Sequence, residues 1–207
     1  MLISESMQRV IRVLLNTKDL AVRKTAKEAD ISLGITVKNL NQLEKTGYIM
    51  RKRNKIIVKD FKRLLNAWAY TVSVSELKRI EFIGAEKPQY LIKKIGTIAN
   101  KNKLEYAFTL FAGTELVCPL VAPSEVHLYV LEDELEKWEM VLRKQNIFPA
   151  EKGNIICFLV DKSYFYGKIK SRDINVVSYP QLYVDLFSLK GRGEEAAKEL
   201  LKVMKNV

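Results

Sequence analysis

The sequence predicts an α+β protein with two domains: a helical domain closed by a β-hairpin over residues 1–72, and a mixed α/β domain over residues 73–207. A chain of 207 residues is long for one small domain and too short for three. The positive charge is also distributed unequally between the two predicted domains. Residues 1–70 hold 15 Lys and Arg against 6 Asp and Glu, which leaves 20 against 18 for the rest. A polyanionic partner is therefore expected at the first domain.

The composition is that of a globular protein, with 48% hydrophobic and 29% charged residues. Apolar runs such as Ile155–Val160 are much shorter than the roughly 18 residues that cross a bilayer. The first residues lack a charged and then apolar export signal. We therefore expect a cytoplasmic protein that makes no membrane contact.

Few side chains suit metal or cofactor chemistry. Cys118 and Cys157 both lie in apolar runs, which is typical of buried thiols. A structural zinc site needs about four Cys or His ligands, but the chain has one histidine, His127. Neither a Walker motif nor Gly-x-Gly-x-x-Gly occurs. The sequence predicts no metal and no cofactor.

Three helices are predicted at the start of the chain. The first is capped by Ser4 or Ser6, and the second spans Val22–Ala29. The third begins near Ser32 or Gly34 and ends before a glycine. Their short connections favour a compact helical core.

The third helix has two unlike faces. Val37, Leu40 and Leu43 share an apolar stripe. Polar side chains able to contact base edges in a DNA major groove are assigned to the other face: Thr36, Lys38, Asn39, Gln42 and Lys45. Asn and Gln pair with adenine, Lys reaches guanine or phosphate, and Thr contacts the thymine methyl group.

A basic hairpin follows this helix. Gly47 ends the helix, and two short apolar strands enclose Arg51-Lys52-Arg53-Asn54-Lys55. Together, residues 36–49 and this hairpin resemble the recognition helix and wing of bacterial and archaeal winged helix-turn-helix regulators. The resemblance implies binding to double-stranded DNA, with Arg51, Lys52, Arg53 and Lys55 on phosphates. The alternative is a winged helix that only binds proteins.

A helix over Asp60–Tyr70 is predicted to lead to a domain boundary near residue 72. Beyond the boundary, the pattern alternates between helices and strands. Helices are expected at Ser75–Ile83, Lys87–Asn100 and Asp133–Gln145, and strands at Tyr106–Leu110, Glu125–Leu131 and Ile155–Leu159.

Part of this second domain resembles the nucleotidyltransferase fold in outline. Ala112-Gly113-Thr114 follows a strand, where active enzymes begin a phosphate-binding helix, and the next strand in those enzymes carries two carboxylates for Mg²⁺. This chain has Glu125 and His127 at those positions, and histidine is a poor ligand for Mg²⁺. We expect an inactive domain. The alternative is a nucleotidyltransferase that acts with Mg²⁺ and NTP on a nucleic acid or protein.

The final stretch, Val176–Ala197, reads VVSYPQLYVDLFSLKGRGEEAA. Pro180 suits the first turn of a helix, and Gly191 and Gly193 are expected to form a tight turn before the last helix. The stretch resembles the signature of the AbiEi family, type IV antitoxins and transcriptional regulators, including archaeal relatives. The resemblance implies an autoregulatory repressor that binds its own promoter. The second domain would stabilise the protein, form a homodimer or bind a cognate toxin.

Overall fold

The structure is a computed structural model that describes residues 3–18, 20–53, 55–119 and 121–204. The chain divides into two compact units, Met1–Val72 and Ser73–Val207. Helices and strands in these units confirm the predicted α+β fold class.

Unit 1 consists of helices followed by a β-hairpin and one more helix. Its elements are α1 (Glu5–Asn16), α2 (Val22–Glu28), α3 (Leu33–Lys45), β1 (Ile49–Lys52), β2 (Lys55–Val58) and α4 (Phe61–Ala69). Side-chain caps explain where three helices begin: Ser4, Ser32 and Asp60 accept hydrogen bonds from the backbone N–H groups three residues later. Of the two caps considered for the first helix, the structure selects Ser4.

The core of unit 1 is formed by the apolar stripes of its helices. Leu40 and Leu43 of α3 are fully buried, as are Val10 of α1 and Trp68 of α4. The guanidinium group of the buried Arg12 lies 5.3 Å from the Trp68 ring centroid. This packing orients α3 and leaves its opposite face to solvent.

Unit 2 contains a mixed sheet with strand order β6-β3-β7-β5-β4-β9-β8 among the described residues. The β5–β7 and β4–β9 pairs are parallel, and the other pairs are antiparallel. The elements are β3 (Arg79–Ile83), α5 (Pro88–Asn102), β4 (Tyr106–Phe108), α6 (Leu110–Val117), β5 (Val126–Leu131), α7 (Leu135–Arg143), β6 (Phe148–Ala150), β7 (Ile155–Val160), β8 (Ile169–Ser171), β9 (Ile174–Val176), α8 (Tyr179–Ser188) and α9 (Arg192–Met204).

The main core of unit 2 lies between one face of this sheet and helices α5 and α7. Ile95 of α5 and Trp138 of α7 are fully buried against Phe108 and Leu128 of the sheet. Alternate residues of each strand point to the other face, because side chains alternate along a strand. His127 and Phe158 lie on that other face.

One predicted helix of unit 2 is wrong, and one predicted strand is shorter than expected. The segment Ser75–Ile83 is not a helix: a short 3₁₀ turn precedes strand β3, in which Phe82 is buried while Arg79 and Ile83 are exposed. The segment Arg79–Ile83 is a strand because it pairs antiparallel with β6 and β7. The strand expected over Tyr106–Leu110 ends at Phe108, and Leu110 begins α6 with a left-handed φ of 51°.

Three glycines singled out in the sequence have different roles in unit 2. Gly113 lies inside α6, where a Cβ would lie 2.9 Å from Leu182 Cδ1. Gly191 does turn the chain, with a φ of 45°. Gly193, however, is already helical in α9, where a Cβ would overlap the Leu186 carbonyl group. Both Gly113 and Gly193 therefore allow close packing on α8.

Candidate nucleic-acid interface

Helix α3 presents a polar and partly basic face to solvent. The buried positions are Thr36, Asn39, Leu40 and Leu43. Because a helix repeats every 3.6 residues, the positions between them point outward. The outward face consists of Gly34, Ile35, Lys38, Asn41, Lys45 and the half-buried Gln42.

Two of the residues predicted to contact bases are inside the fold. Thr36 is fully buried, and its hydroxyl group donates a 2.9 Å hydrogen bond to the Ser32 carbonyl oxygen. Asn39 is 5% exposed, and its Nδ2 donates to Ser6 Oγ of α1 at 3.2 Å. Thr36 therefore bonds within its own helix and Asn39 links α3 to α1, so neither lies on the outward face where the other predicted residues lie.

The other predicted residues of α3 lie on its outward face. Lys38 and Lys45 are exposed, and Gln42 lies between them on the same side. Asn41 is also exposed. It was missed because Val37, one turn earlier, is apolar and suggested an inward-facing stripe.

The hairpin carries exposed cations beside this helix. Strands β1 and β2 pair so that Lys52 lies opposite Lys55. Arg53 follows Lys52 at the tip with a left-handed φ of 55°. Lys52, Arg53 and Lys55 are all exposed. Asn54 lies outside the described residues.

Arg51 is exposed on the hairpin, but its side chain is paired with α3. Its Nε donates to Glu44 Oε2 at 2.9 Å, and its backbone N–H donates to Glu44 Oε1 at 2.8 Å. Its guanidinium group also donates to Asn41 Oδ1 at 2.7 Å. Hydrogen bonds from Arg51 hold the pKa of the Glu44 carboxyl below its usual value. Arg51 thus clamps the hairpin to α3. Its contact with phosphate stays a prediction.

Because Arg51 is paired and, among the described residues, Lys52 is not, we expect their removal to change the salt dependence of DNA affinity by different amounts. We expect Lys52→Ala to reduce the slope of log affinity against log salt by about 0.9 on duplex DNA, because one phosphate contact is lost. Arg51→Ala should leave the slope nearly unchanged, since its guanidinium group is already paired. The slopes are measured by fluorescence anisotropy across a salt series. An equal reduction in both variants would contradict the clamp.

The second candidate site is the pair Glu125 and His127 at the start of β5. Glu125 Oε2 lies 3.7 Å from His127 Nε2, and the imidazole ring stacks on Phe158 at a centroid distance of 6.0 Å. Ile156 pairs with His127 on the neighbouring strand β7. Because Ile156 and Phe158 are apolar, β7 adds no carboxylate to this pair.

His127 is neutral at physiological pH. Burial lowers its pKa to about 4, and the nearby positive charge of Arg79 contributes to the shift. As the pH falls from 6.5 toward 4, the unfolded chain takes up a proton on this residue that the folded chain does not. Stability should therefore fall across that range, by on the order of 3 kcal/mol.

The prediction is checked with His127→Gln. Urea unfolding of the wild type and the variant is compared near pH 7 and near pH 4. The variant should lose less stability on acidification, because glutamine does not titrate. Equal losses would show that burial of His127 does not control this response.

A buried polar cluster joins α8 to the start of α6. The side chain of Asp185 is fully buried, and its Oδ2 accepts a hydrogen bond from the Thr109 hydroxyl group. Its Oδ1 accepts from Gln181 Nε2 at 2.7 Å. The backbone N–H of Gln181 donates to Ser178 Oγ, the cap of α8. The segment that carried the sequence resemblance is thus a structural part of unit 2.

A family model described as "Transcriptional regulator, AbiEi antitoxin, Type IV TA system" matches residues 56–204. This match spans more than two thirds of the chain. The chain belongs to the AbiEi antitoxin family. Its family is therefore one of transcriptional regulators and antitoxins of type IV toxin–antitoxin systems, as the resemblance of Val176–Ala197 implied.

The match to the AbiEi family begins within β2 and continues through unit 2. Helices α1, α2 and α3 lie before it. Helix α3 and strand β1 therefore lie outside the family match, which includes most of β2. No curated protein and no solved structure gives a significant match to this AbiEi family member.

The described part of this AbiEi family member has neither a cluster of metal ligands nor a membrane-spanning helix. In those residues, no three His, Cys, Asp or Glu side chains are grouped so that they could hold a metal ion. None of the helices there combines the length and the apolar content needed to span a membrane.

Proposed function

We propose that this protein is a DNA-binding transcriptional repressor that acts on its own promoter region within a type IV toxin–antitoxin system. The observation that carries the proposal is the outward face of α3 beside the exposed cations of the hairpin. This surface lies in the part of the chain with 15 Lys and Arg against 6 Asp and Glu. A helix of this kind enters the major groove while a basic hairpin contacts the flanking backbone.

Individual roles follow from exposure and chemistry. Lys38 and Gln42 lie on the outward face, where their side chains can donate to base edges. The flanking cations, which we assign to phosphates, are Lys45, Lys52, Arg53 and Lys55. Phosphate contacts supply affinity, whereas base contacts supply sequence preference.

For unit 2 we propose a non-enzymatic role in the cytoplasm: binding a cognate toxin or a second copy of the chain. Nucleotidyl transfer with Mg²⁺ and NTP is disfavoured, since the second of the two expected carboxylate positions is a neutral histidine, His127 of β5. The adjacent strand places Ile156 and Phe158 there. These residues offer no ligand for a hard cation.

The experiment that tests the proposal is a binding titration of the full chain. The two duplexes are DNA from its own upstream region and a scrambled control, each at low and moderate salt. We expect preference for the upstream duplex. With six or so phosphate contacts, affinity should fall by about a thousandfold or more from low to moderate salt. Absence of binding at low salt would overturn the proposal.

The base-reading roles are tested with Lys38→Ala and Gln42→Ala. Each variant should lose preference for the upstream duplex, by about 1–3 kcal/mol for each base contact removed. Lys101→Ala, on the exposed side of α5, is the matched control for loss of one surface lysine. If both duplexes weaken equally in the α3 variants, these residues do not read sequence.

A further inference from the structure

The first turn of α3 exposes two large apolar side chains. Leu33 is 45% exposed and Ile35 is 44% exposed. Ile35 lies three residues before Lys38 and seven before Gln42, so that all three share one stripe of the helix. The apolar side chain of Ile35 therefore lies on the same surface as the side chains assigned to bases.

The fold does not require a glycine at position 34, between these two residues. A Cβ at this position would have no atom within 4 Å. Its φ is not in the left-handed region that favours glycine. Glycine also lowers helix stability relative to alanine. One general use of glycine that fits this position is to let another molecule approach the backbone closely.

We infer that the first turn of α3 packs against bases in the major groove, with Ile35 contacting thymine methyl groups and Gly34 allowing the close approach. The inference rests on the proposed function and adds a chemical preference for thymine to it.

The preference for thymine follows from the groups that each base presents in the major groove. The edges of the other bases present hydrogen-bond donors and acceptors there, whereas thymine adds the C5-methyl group. An apolar side chain gains by removing that methyl group from water. The exposed Lys38 and Lys45 on the same helix complement the negative charge of the duplex. The occupant of this apolar surface is therefore duplex DNA.

The test replaces thymine with uracil in the upstream duplex. Uracil keeps the O4 acceptor and lacks only the C5-methyl group. For each methyl group that Ile35 contacts, wild-type affinity should fall about fourfold, which corresponds to about 0.8 kcal/mol. Ile35→Ala should bind the thymine duplex more weakly and distinguish the two duplexes less. A scrambled duplex made with each base controls for general effects of uracil.

The outcomes separate this inference from the proposed function. If the wild type binds the thymine and uracil duplexes equally, the inference is overturned while DNA binding stands. If Ile35→Ala remains as sensitive to uracil as the wild type, the assignment to Ile35 is overturned. If the wild type binds neither duplex, the proposed function fails and the inference fails with it.

A second variant tests the close approach. Gly34→Ala should raise the thermal midpoint, because alanine favours the helix and its methyl group meets no atom of the chain. The same variant should bind the upstream duplex at least about tenfold more weakly, because the methyl group would separate α3 from the bases. Increased stability with unchanged affinity would overturn the role of Gly34.

Discussion

Replacing Lys52, Arg53 and Lys55 together with glutamine is expected to lower affinity for the upstream duplex by at least about a hundredfold at low salt. All three cations are exposed at or beside the hairpin tip. Each phosphate contact releases a bound counterion, so three lost contacts should also reduce the salt slope by about 2.7. Sequence preference should persist, because the outward face of α3 is unchanged. Anisotropy titrations over a salt series measure all three quantities.

A matched control separates the effect of losing cations at the hairpin from the effect of lowering the net charge. Lys93, Lys101 and Lys137 are exposed on α5 and α7 of unit 2, and their replacement by glutamine removes the same charge. This control should retain most of the salt slope. If both triple variants lose affinity equally, the hairpin does not contact phosphate and binding depends only on overall charge.

The second large effect concerns stability. Asp185→Ala is expected to lower the free energy of unfolding of unit 2 by about 4 kcal/mol, because two hydrogen bonds to a buried carboxyl group are lost. The Thr109 hydroxyl group and the Gln181 amide would each lose this acceptor inside the protein. The thermal midpoint should fall by about 10 °C.

Calorimetry on the full chain checks this effect. Asp133→Ala makes the same chemical change at an exposed position of unit 2 and should leave the midpoint within about 2 °C. Asp185→Asn keeps one acceptor oxygen and should fall between the alanine variant and the wild type. A midpoint in Asp185→Ala that matches Asp133→Ala would show that the cluster does not stabilise the unit.

Most elements of the fold could be predicted from local sequence patterns. Helical spacing and caps such as Ser32 predicted α3, and the apolar run at Ile155–Val160 predicted β7. The failure at β3 has a physical cause: Phe82 and its neighbours pair with β6 and β7, whose residues lie more than 60 positions later. The local spacing of apolar residues did not reveal those partner strands. The same segment also has apolar residues at helical spacing: Leu77, Ile80 and Ile83.

The candidate site was predicted only in part, because polarity was equated with exposure. Thr36 is buried at little cost, since its hydroxyl group bonds to the carbonyl group one turn earlier. Asn39 finds its partner in Ser6, 33 residues away. Ile35, by contrast, has an apolar side chain that is 44% exposed. The buried face of α3 is distinguished from its outward face only by the packing of α1 against α3.

The clamp of Arg51 on Glu44 and Asn41 has a consequence for the kinetics of association. Because the hairpin is already held against α3 before DNA arrives, little conformational entropy is lost when the two elements engage the duplex. The encounter should then be limited by diffusion and electrostatic steering rather than by ordering of a loop. Loosening the clamp would slow association while leaving the contacts of the final complex in place.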